Sequence, residues 1–283
     1  MERIPPETYA MTDIRYRTIG QGPGIVVLHG AMCSGYDHLQ LAEAMADRHT
    51  VHLVDRRGRG LSQHAPAGNG IASEVADLDA VLTATGAHDV FGISSGAIVC
   101  LEAARTLPAI RRAAIFEPPL FPSQAVPAAF AATLNRHLDR GRLAAALATG
   151  MKGAQMGPAF MRAIPTWLLA PLITAGMNAE QRKPPSEYLT MRTLAPTLRQ
   201  DYAVVTEASG PADRFAAITA DVLLLGGSNS PQYLKDALEV LRKAIPHASF
   251  HELVGADHSA ASNTDRRGRP EDVAAALIAF FDT

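Results

Sequence analysis

The chain has 283 residues, 47% of them hydrophobic and 19% charged, with a formal net charge of −2 at pH 7. This is the balance of a globular protein with ample core, long enough for one large or two small domains, and without a basic block to serve nucleic acid or an anionic membrane surface. No apolar run reaches membrane-spanning length, the first residues lack a signal-peptide core, and the two cysteines, Cys33 and Cys100, make no disulfide framework, so a reducing cytoplasm is the expected location.

Residues 14–18 alternate weakly and are expected to form an early edge strand. Gly20-Gln21-Gly22-Pro23-Gly24 is a turn. It precedes a strand where a nucleotide loop would follow one. Residues 25–28 are a continuous apolar run, the pattern of a strand buried on both faces, and end in His29-Gly30-Ala31-Met32. Helical spacing runs over 36–48, a strand over 51–54 closed by Asp55, and helical spacing again over 68–85. A strand at 90–93, a helix from 95 to about 106 and a strand over 111–116 follow, the last stopping at Glu117-Pro118-Pro119. Strands alternating with helices argue for a parallel sheet covered on both faces, with ligands at the carboxyl ends of the strands.

From about 120 to 215 the rhythm changes. Alanine-rich helical segments, 126–138 and 142–150 among them, are broken by Gly and Pro, and no strand is evident. Such a stretch reads as an inserted helical cap. Met151, Met156, Met161, Trp167, Leu168, Leu169, Met177 and Met191 are candidate lining for an apolar pocket, with most of them expected to be ordinary cap core. Arg182-Lys183 could contact an acidic substrate, though a solvated pair is the simpler reading. The sheet resumes at 222–225, followed by Gly226-Gly227-Ser228-Asn229-Ser230-Pro231 and a helix to about 244. Residues 249–253 alternate as a last strand, Gly255-Ala256-Asp257-His258-Ser259 forms a loop, and 270–281 makes a closing helix with Pro at its first turn.

The central stretch is Val90-Phe91-Gly92-Ile93-Ser94-Ser95-Gly96-Ala97-Ile98-Val99, a short strand, a turn of the form Gly-x-Ser-x-Gly and a small-residue helix. A serine at the centre of such a turn is held in a strained conformation with its hydroxyl exposed at the top of a sheet. The flanking glycines are required because a Cβ there would collide with the neighbouring strand or helix. The Ser95 N–H, at a helix N-terminus, is aimed at any oxyanion formed on a carbonyl that Ser94 attacks.

This stretch, with His29-Gly30, Asp55-Arg56-Arg57-Gly58-Arg59-Gly60-Leu61-Ser62 and Gly255-Ala256-Asp257-His258, resembles the α/β-hydrolase family over about residues 14–118 and 218–282. The resemblance implies an α/β-hydrolase fold, a mostly parallel doubly wound sheet with an inserted helical cap. The domains expected are a core of 1–120 and 216–283 and a cap (lid) of 121–215. In the family the loop after the strand at 25–28 supplies a second oxyanion donor, by position the Ala31 backbone, with Met32 as the alternative and a pocket candidate. His29 is expected to be a structural hydrogen-bonding residue. The Asp55 loop carries three arginines that could form a phosphate patch; a structural loop in which Asp55 pairs with an arginine is preferred.

A serine hydroxyl needs a base, and the base an orienting acid. Of ten histidines, only His258 occupies the Gly-x-x-His loop where the family places its base. The usual acid position, Gly-x-x-Asp after the strand at 222–225, holds Asn229, which carries no charge. Glu117, capping the strand next to the elbow strand, is the alternative acid, as in relatives that have moved it there. Asp257 adjoins His258 too closely to face it, and Asp221 lies at the wrong end of its strand. The expected triad is Ser94, His258 and Glu117, with backbone oxyanion donors on Ala31 and Ser95, and Met32, Trp167 and Met161 as pocket candidates. No metal or other cofactor is expected, and no histidine–cysteine or histidine–carboxylate spacing suggests a metal site. The expected activity is serine-hydrolase cleavage of a small or medium apolar ester, thioester or lactone. The rivals are carbon–carbon bond hydrolysis, cofactor-free haloperoxidase-like perhydrolysis and a non-catalytic ligand receptor. Nucleophilic-aspartate chemistry is excluded by Ser94 at the elbow. Cys33 could be a reactive thiol near the pocket, though an inert one is the simpler reading. Neither the substrate nor the oligomeric state is legible.

Overall fold

The computed structural model describes residues 7–11, 14–62, 70–155, 160, 163–183 and 187–283. Eight strands form one sheet in the order β1-β2-β4-β3-β5-β6-β7-β8. They are β1 (Glu7–Met11), β2 (Ile14–Gly20), β3 (Gly24–Leu28), β4 (Thr50–Asp55), β5 (Asp89–Ile93), β6 (Arg112–Phe116), β7 (Asp221–Gly227) and β8 (Ser249–Leu253). The β1–β2 and β2–β4 pairs are antiparallel and every later pair is parallel. The strand expected at the edge, β2, is therefore second from it, because β1 pairs along its outer side. The other edge strand, β8, has an alternating sequence, yet four of its five residues are exposed, so the alternation does not build a buried face.

The central strands are apolar throughout because both of their faces are covered. Along β3, Val26 and Leu28 enter one core cluster and Ile25 and Val27 the other. Helices α1 (Leu39–Met45) and α10 (Pro270–Phe281) cover one face. Helices α2 (Ile71–Thr85), α3 (Ser95–Thr106) and α9 (Gln232–Ala244) cover the other. The two burial patterns differ as the periodicities require, alternating along strands and three or four apart on helices.

Between β6 and β7 the described residues are helical: α4 (Ala125–Asp139), α5 (Leu143–Gly153), α6 (Thr166–Arg182), α7 (Met191–Leu194) and α8 (Leu198–Ala208). Leu134, Leu147, Met177, Ala195 and Leu198 form a separate apolar cluster there, with Met191 against it. Helix α8 belongs to both layers. Leu198 faces that cluster, while Val204, Val205 and Ala208 pack into the sheet's own core with Phe215. By packing, the core resumes within α8, earlier than the expected boundary at 215.

The chain runs outward in opposite directions from β3, whose neighbours are β4 on one side and β5 on the other. A crevice opens at such a point beyond the carboxyl ends of the strands. Gly30, Ser94 and Glu117 follow the carboxyl ends of β3, β5 and β6.

Candidate active site

Ser94 has φ 55° and ψ −121°, a conformation costly for a residue with a Cβ. Its glycines explain how the turn closes. A Cβ on Gly92 would lie 2.5 Å from the Ala97 Cα, and one on Gly96 would lie 2.4 Å from the Leu28 carbonyl oxygen. Gly96 lets helix α3 start hard against the end of β3, and Gly92 lets the same helix fold back onto β5. The Ser94 amide donates to the Phe116 carbonyl at 2.9 Å, which ties the turn to β6.

Directly after Phe116 comes Glu117, fully buried and also at positive φ, 48°. Its amide donates to the Leu225 carbonyl at 3.2 Å, and its Oε1 accepts the Gly227 amide at 2.6 Å. Its Oε2 accepts from His258 Nδ1 at 2.6 Å. A carboxylate so held fixes the imidazole with the proton on Nδ1 and leaves Nε2 as the basic nitrogen. The Phe116 ring stacks on His258 with centroids 6.1 Å apart. Ser94 and His258 thus both rest on the pair Phe116-Glu117. The His258 side chain remains one-third exposed, 33%, as a group exchanging protons with water requires.

Asn229 does not take the acid's place. Its Nδ2 donates to the Gly255 carbonyl at 3.2 Å and its amide to the Ala256 carbonyl at 2.9 Å, so it braces the histidine loop from outside. Asp257 accepts from the Ser259 amide and hydroxyl, and Asp221 opens β7 at the opposite end of the sheet.

On the other side of Ser94, the His29-Gly30-Ala31-Met32 turn leaves β3, with Met32 at φ 58°. Ala31 and Met32 are half-buried against the apolar helical cluster. A Cβ on Gly30 would come within 2.9 Å of the Ser94 Cβ, so the turn passes directly beside the serine. Among the described residues, no acceptor takes the Ala31 or Ser95 amide. His29 is fully buried, with Nδ1 against the Gly30 carbonyl at 2.8 Å and Nε2 accepting the Arg56 amide at 3.1 Å. Burial, aided by the Arg59 and Arg56 charges, holds its pKa well below the ordinary imidazole value, so the ring is neutral and bridges two loops.

The Asp55 loop is structural and internally neutralised. Asp55 accepts the Gly35 and Leu61 amides at 2.7 and 2.9 Å, and its arginine partner is Arg17 of β2 at 3.2 Å. Arg56 pairs with Glu74 and Asp201, Arg57 with Asp77, and Arg59 with Asp201. Among the described residues, each arginine of the loop is thus ion-paired.

Of the pocket candidates, Met161 and Met156 lie outside the described residues. Trp167 stands on the first turn of α6 with 71% of its surface exposed. Leu168 is also largely exposed, whereas Leu169 and Met177 are buried among helices. Arg182 and Lys183 are exposed. Burial, then the nearby Asp37 charge, pushes the Cys33 thiol far up, which keeps it protonated and unreactive. Cys100 is buried in α3, its thiol raised by burial in the same way. Sequence reasoning missed Asp201, on α8, which accepts the hydroxyl of Ser95, the residue after Ser94. Among the described residues, no group of three or more His, Cys, Asp and Glu is placed to hold a metal ion, and no helix is long and apolar enough to cross a membrane.

The alpha/beta hydrolase family model matches residues 25–276. A pimeloyl-acyl-carrier protein methyl ester esterase of Xanthomonas oryzae pv. oryzae is 37% identical over 93 residues, 33% of this chain and 36% of that protein. The chain is thus matched over about a third of the length of that curated relative. The crystal structure of an alpha/beta hydrolase from Sphaerobacter thermophilus superposes with a TM-score of 0.76 at 31% identity, covering 97% of this chain and 100% of that one. A thermophilic esterase from Thermogutta terrifontis, with malate bound, superposes at 0.69 and 18% identity over 100% and 98% of the two chains, a likeness of fold.

Proposed function

The chain belongs to the alpha/beta hydrolase family, and on that premise we propose that it is a serine hydrolase cleaving a small to medium apolar carboxylic ester, thioester or lactone through an acyl-enzyme. The observation that carries the reading is the 2.6 Å contact between Glu117 Oε2 and His258 Nδ1 beside the strained Ser94 turn.

Ser94 Oγ attacks the substrate carbonyl while His258 Nε2 takes its proton. Glu117 holds the ring and stabilises the imidazolium that forms. The developing oxyanion is met by the Ser95 and Ala31 amides, a role supported by the absence of a backbone acceptor for either among the described residues. Collapse expels the alcohol or thiol, which receives the proton from His258. Water, activated by the same nitrogen, then attacks the acyl-enzyme, and Ser94 is regenerated as the acid leaves. In a lactone the freed alcohol remains part of the acyl chain, and hydrolysis of the acyl-enzyme releases a single hydroxy acid. The helices between β6 and β7 act as a cap, and residues 121–215 contain it. The apolar character assigned to the substrate is supported by the cap cluster against Ala31 and Met32, and by the pimeloyl ester named for the matched relative.

The test is a hydrolysis series of p-nitrophenyl esters of increasing acyl length, acyl thioesters and lactones, run with wild type and Ser94→Ala side by side. Turnover by wild type and background rates in Ser94→Ala are expected. Equal turnover by the two proteins, or no turnover of any ester-type substrate by wild type, would overturn the proposal.

A further inference from the structure

Behind the elbow lies a buried ionic cluster that the reaction steps leave unused. Asp201 Oδ1 accepts the Ser95 hydroxyl at 2.7 Å and Arg56 Nη1 at 3.0 Å, and its Oδ2 accepts Arg59 Nη2 at 2.6 Å. Arg56 Nη1 also reaches the Ser95 Oγ at 3.0 Å and the His29 carbonyl at 3.1 Å. Glu74 clamps the same guanidinium through Nε and Nη2 at 3.0 and 2.9 Å. Arg56, Arg59, Glu74, Ser95 and Asp201 are all buried. Two guanidinium groups and two carboxylates cancel, which is the condition for keeping such charges out of water.

The partners chosen by this cluster are informative. Ser95 carries one of the two amides assigned to the oxyanion, and its hydroxyl is fixed from both sides. The His29 carbonyl lies two residues before Ala31, which carries the other. One guanidinium therefore touches the Ser95 hydroxyl and the His29 carbonyl, one on each arm of the anion site, and Asp201 anchors it from α8, one turn beyond Leu198, which faces the cap cluster. The peptide carrying the Ser95 amide is held at its other end, where the Ser94 carbonyl accepts the Ala97 amide at 3.0 Å, and the buried Ser95 hydroxyl adds a second tether. A hydrogen bond weakens steeply as its angle leaves linearity, so a small tilt of either amide costs transition-state binding more than substrate binding.

We propose that Asp201 is a positioning residue of the oxyanion site, fixing the Ser95 and Ala31 amides through the Ser95 hydroxyl and Arg56. The inference rests on the reading of Ser94 as nucleophile and of those two amides as donors.

Asp201→Asn keeps the shape and removes the charge. It is expected to lower kcat by about 10- to 100-fold and leave KM within about threefold. Affinity for an alkyl boronic acid, which forms a tetrahedral adduct on Ser94, should fall by the same factor as kcat/KM. Ser95→Ala, which leaves every ion pair in place, should shift the same two readouts in the same direction. Asp77→Asn is the control: it breaks the 2.7 Å pair with Arg57 on the same loop without touching Ser95, and should leave kcat unchanged. Wild-type kcat and boronate affinity in folded Asp201→Asn would overturn the inference. If Asp201→Asn does not fold, the same result in Ser95→Ala would overturn it. If Ser94→Ala turns over as fast as wild type, the serine-hydrolase reading itself has failed. If Ser94→Ala is inactive while both variants match wild type, only the positioning role falls.

Discussion

Glu117 and His258 are 141 residues apart in sequence and meet through a 2.6 Å hydrogen bond between Oε2 and Nδ1. The carboxylate's other oxygen is taken by the Gly227 amide at 2.6 Å, so it has little freedom to turn away. Glu117→Gln keeps the size of the side chain but loses the charge that stabilises imidazolium. Its kcat for ester hydrolysis is expected to fall on the order of 10⁴-fold, with KM little changed. Steady-state kinetics on one ester substrate measures both.

Asn229 occupies the position where relatives usually carry the acid, and its side-chain amide donates to the Gly255 carbonyl. Asn229→Ala should therefore retain activity within about tenfold, since it removes one exposed hydrogen bond of about 1 kcal/mol. Asn229→Asp placed in a Glu117→Ala background should not restore turnover. Restoration would mean that the loop can swing its side chain to the ring.

Two glycines separate folding from chemistry. A Cβ on Gly96 would sit 2.4 and 2.6 Å from the Leu28 and His29 carbonyl oxygens, both backbone atoms that cannot give way. Gly96→Ala should destabilise by about 3 kcal/mol. A Cβ on Gly30 would instead press on the Ser94 side chain, 2.9 Å from Cβ and 3.5 Å from Oγ. Gly30→Ala should lose activity, by about 100-fold, with a smaller loss of melting temperature than Gly96→Ala. Thermal melts and rates on the two variants test the distinction.

Three buried histidines make stability depend on pH. Burial lowers the pKa of His29, His38 and His52, the last to about 4. Below the ordinary value of 6.5 the unfolded chain binds protons that the folded chain refuses, so acid favours unfolding. The contribution is absent above that value. It grows as pH falls beneath it, by up to about 1.4 kcal/mol per pH unit for each histidine, until the folded-state pKa is reached. His52 touches the Thr18 hydroxyl and lies away from the site. In His52→Gln, proton uptake on unfolding at pH 5, measured by calorimetry in buffers of different ionisation enthalpy, should drop by about one proton. An unchanged uptake would contradict a neutral His52.

Much of the site was legible because it obeys local rules. Gly-x-Ser-x-Gly announces its own geometry: Gly92 and Gly96 are where backbones touch, and Ser94 takes the positive φ. Glu117 was reachable because Asn229 left the usual place uncharged and the strand order brings β6 beside β5. What local patterns do not encode is pairing across long separations. Asp201 joins Arg56 over 145 residues, and nothing in the α8 sequence marks one aspartate as buried. The outer strand β1 is only five residues with no period-two alternation, and its pairing with β2 defines it. Nor does the cap sequence say which of its apolar residues are covered: Leu169 and Met177 are buried, and Trp167, two positions before Leu169, is exposed. Alternation in β8 suggested one buried face, but an edge strand with most residues exposed has no second layer to meet.

The account turns on Ser94 being a nucleophile made reactive by His258 under the hold of Glu117. The most direct measurement is the rate of covalent labelling by a fluorophosphonate, with the modified residue located by peptide mass analysis, in wild type and Glu117→Gln. Labelling on Ser94 is predicted, slower in Glu117→Gln by about 10³- to 10⁴-fold. Labelling at another residue, or at equal rates in the two proteins, would contradict it.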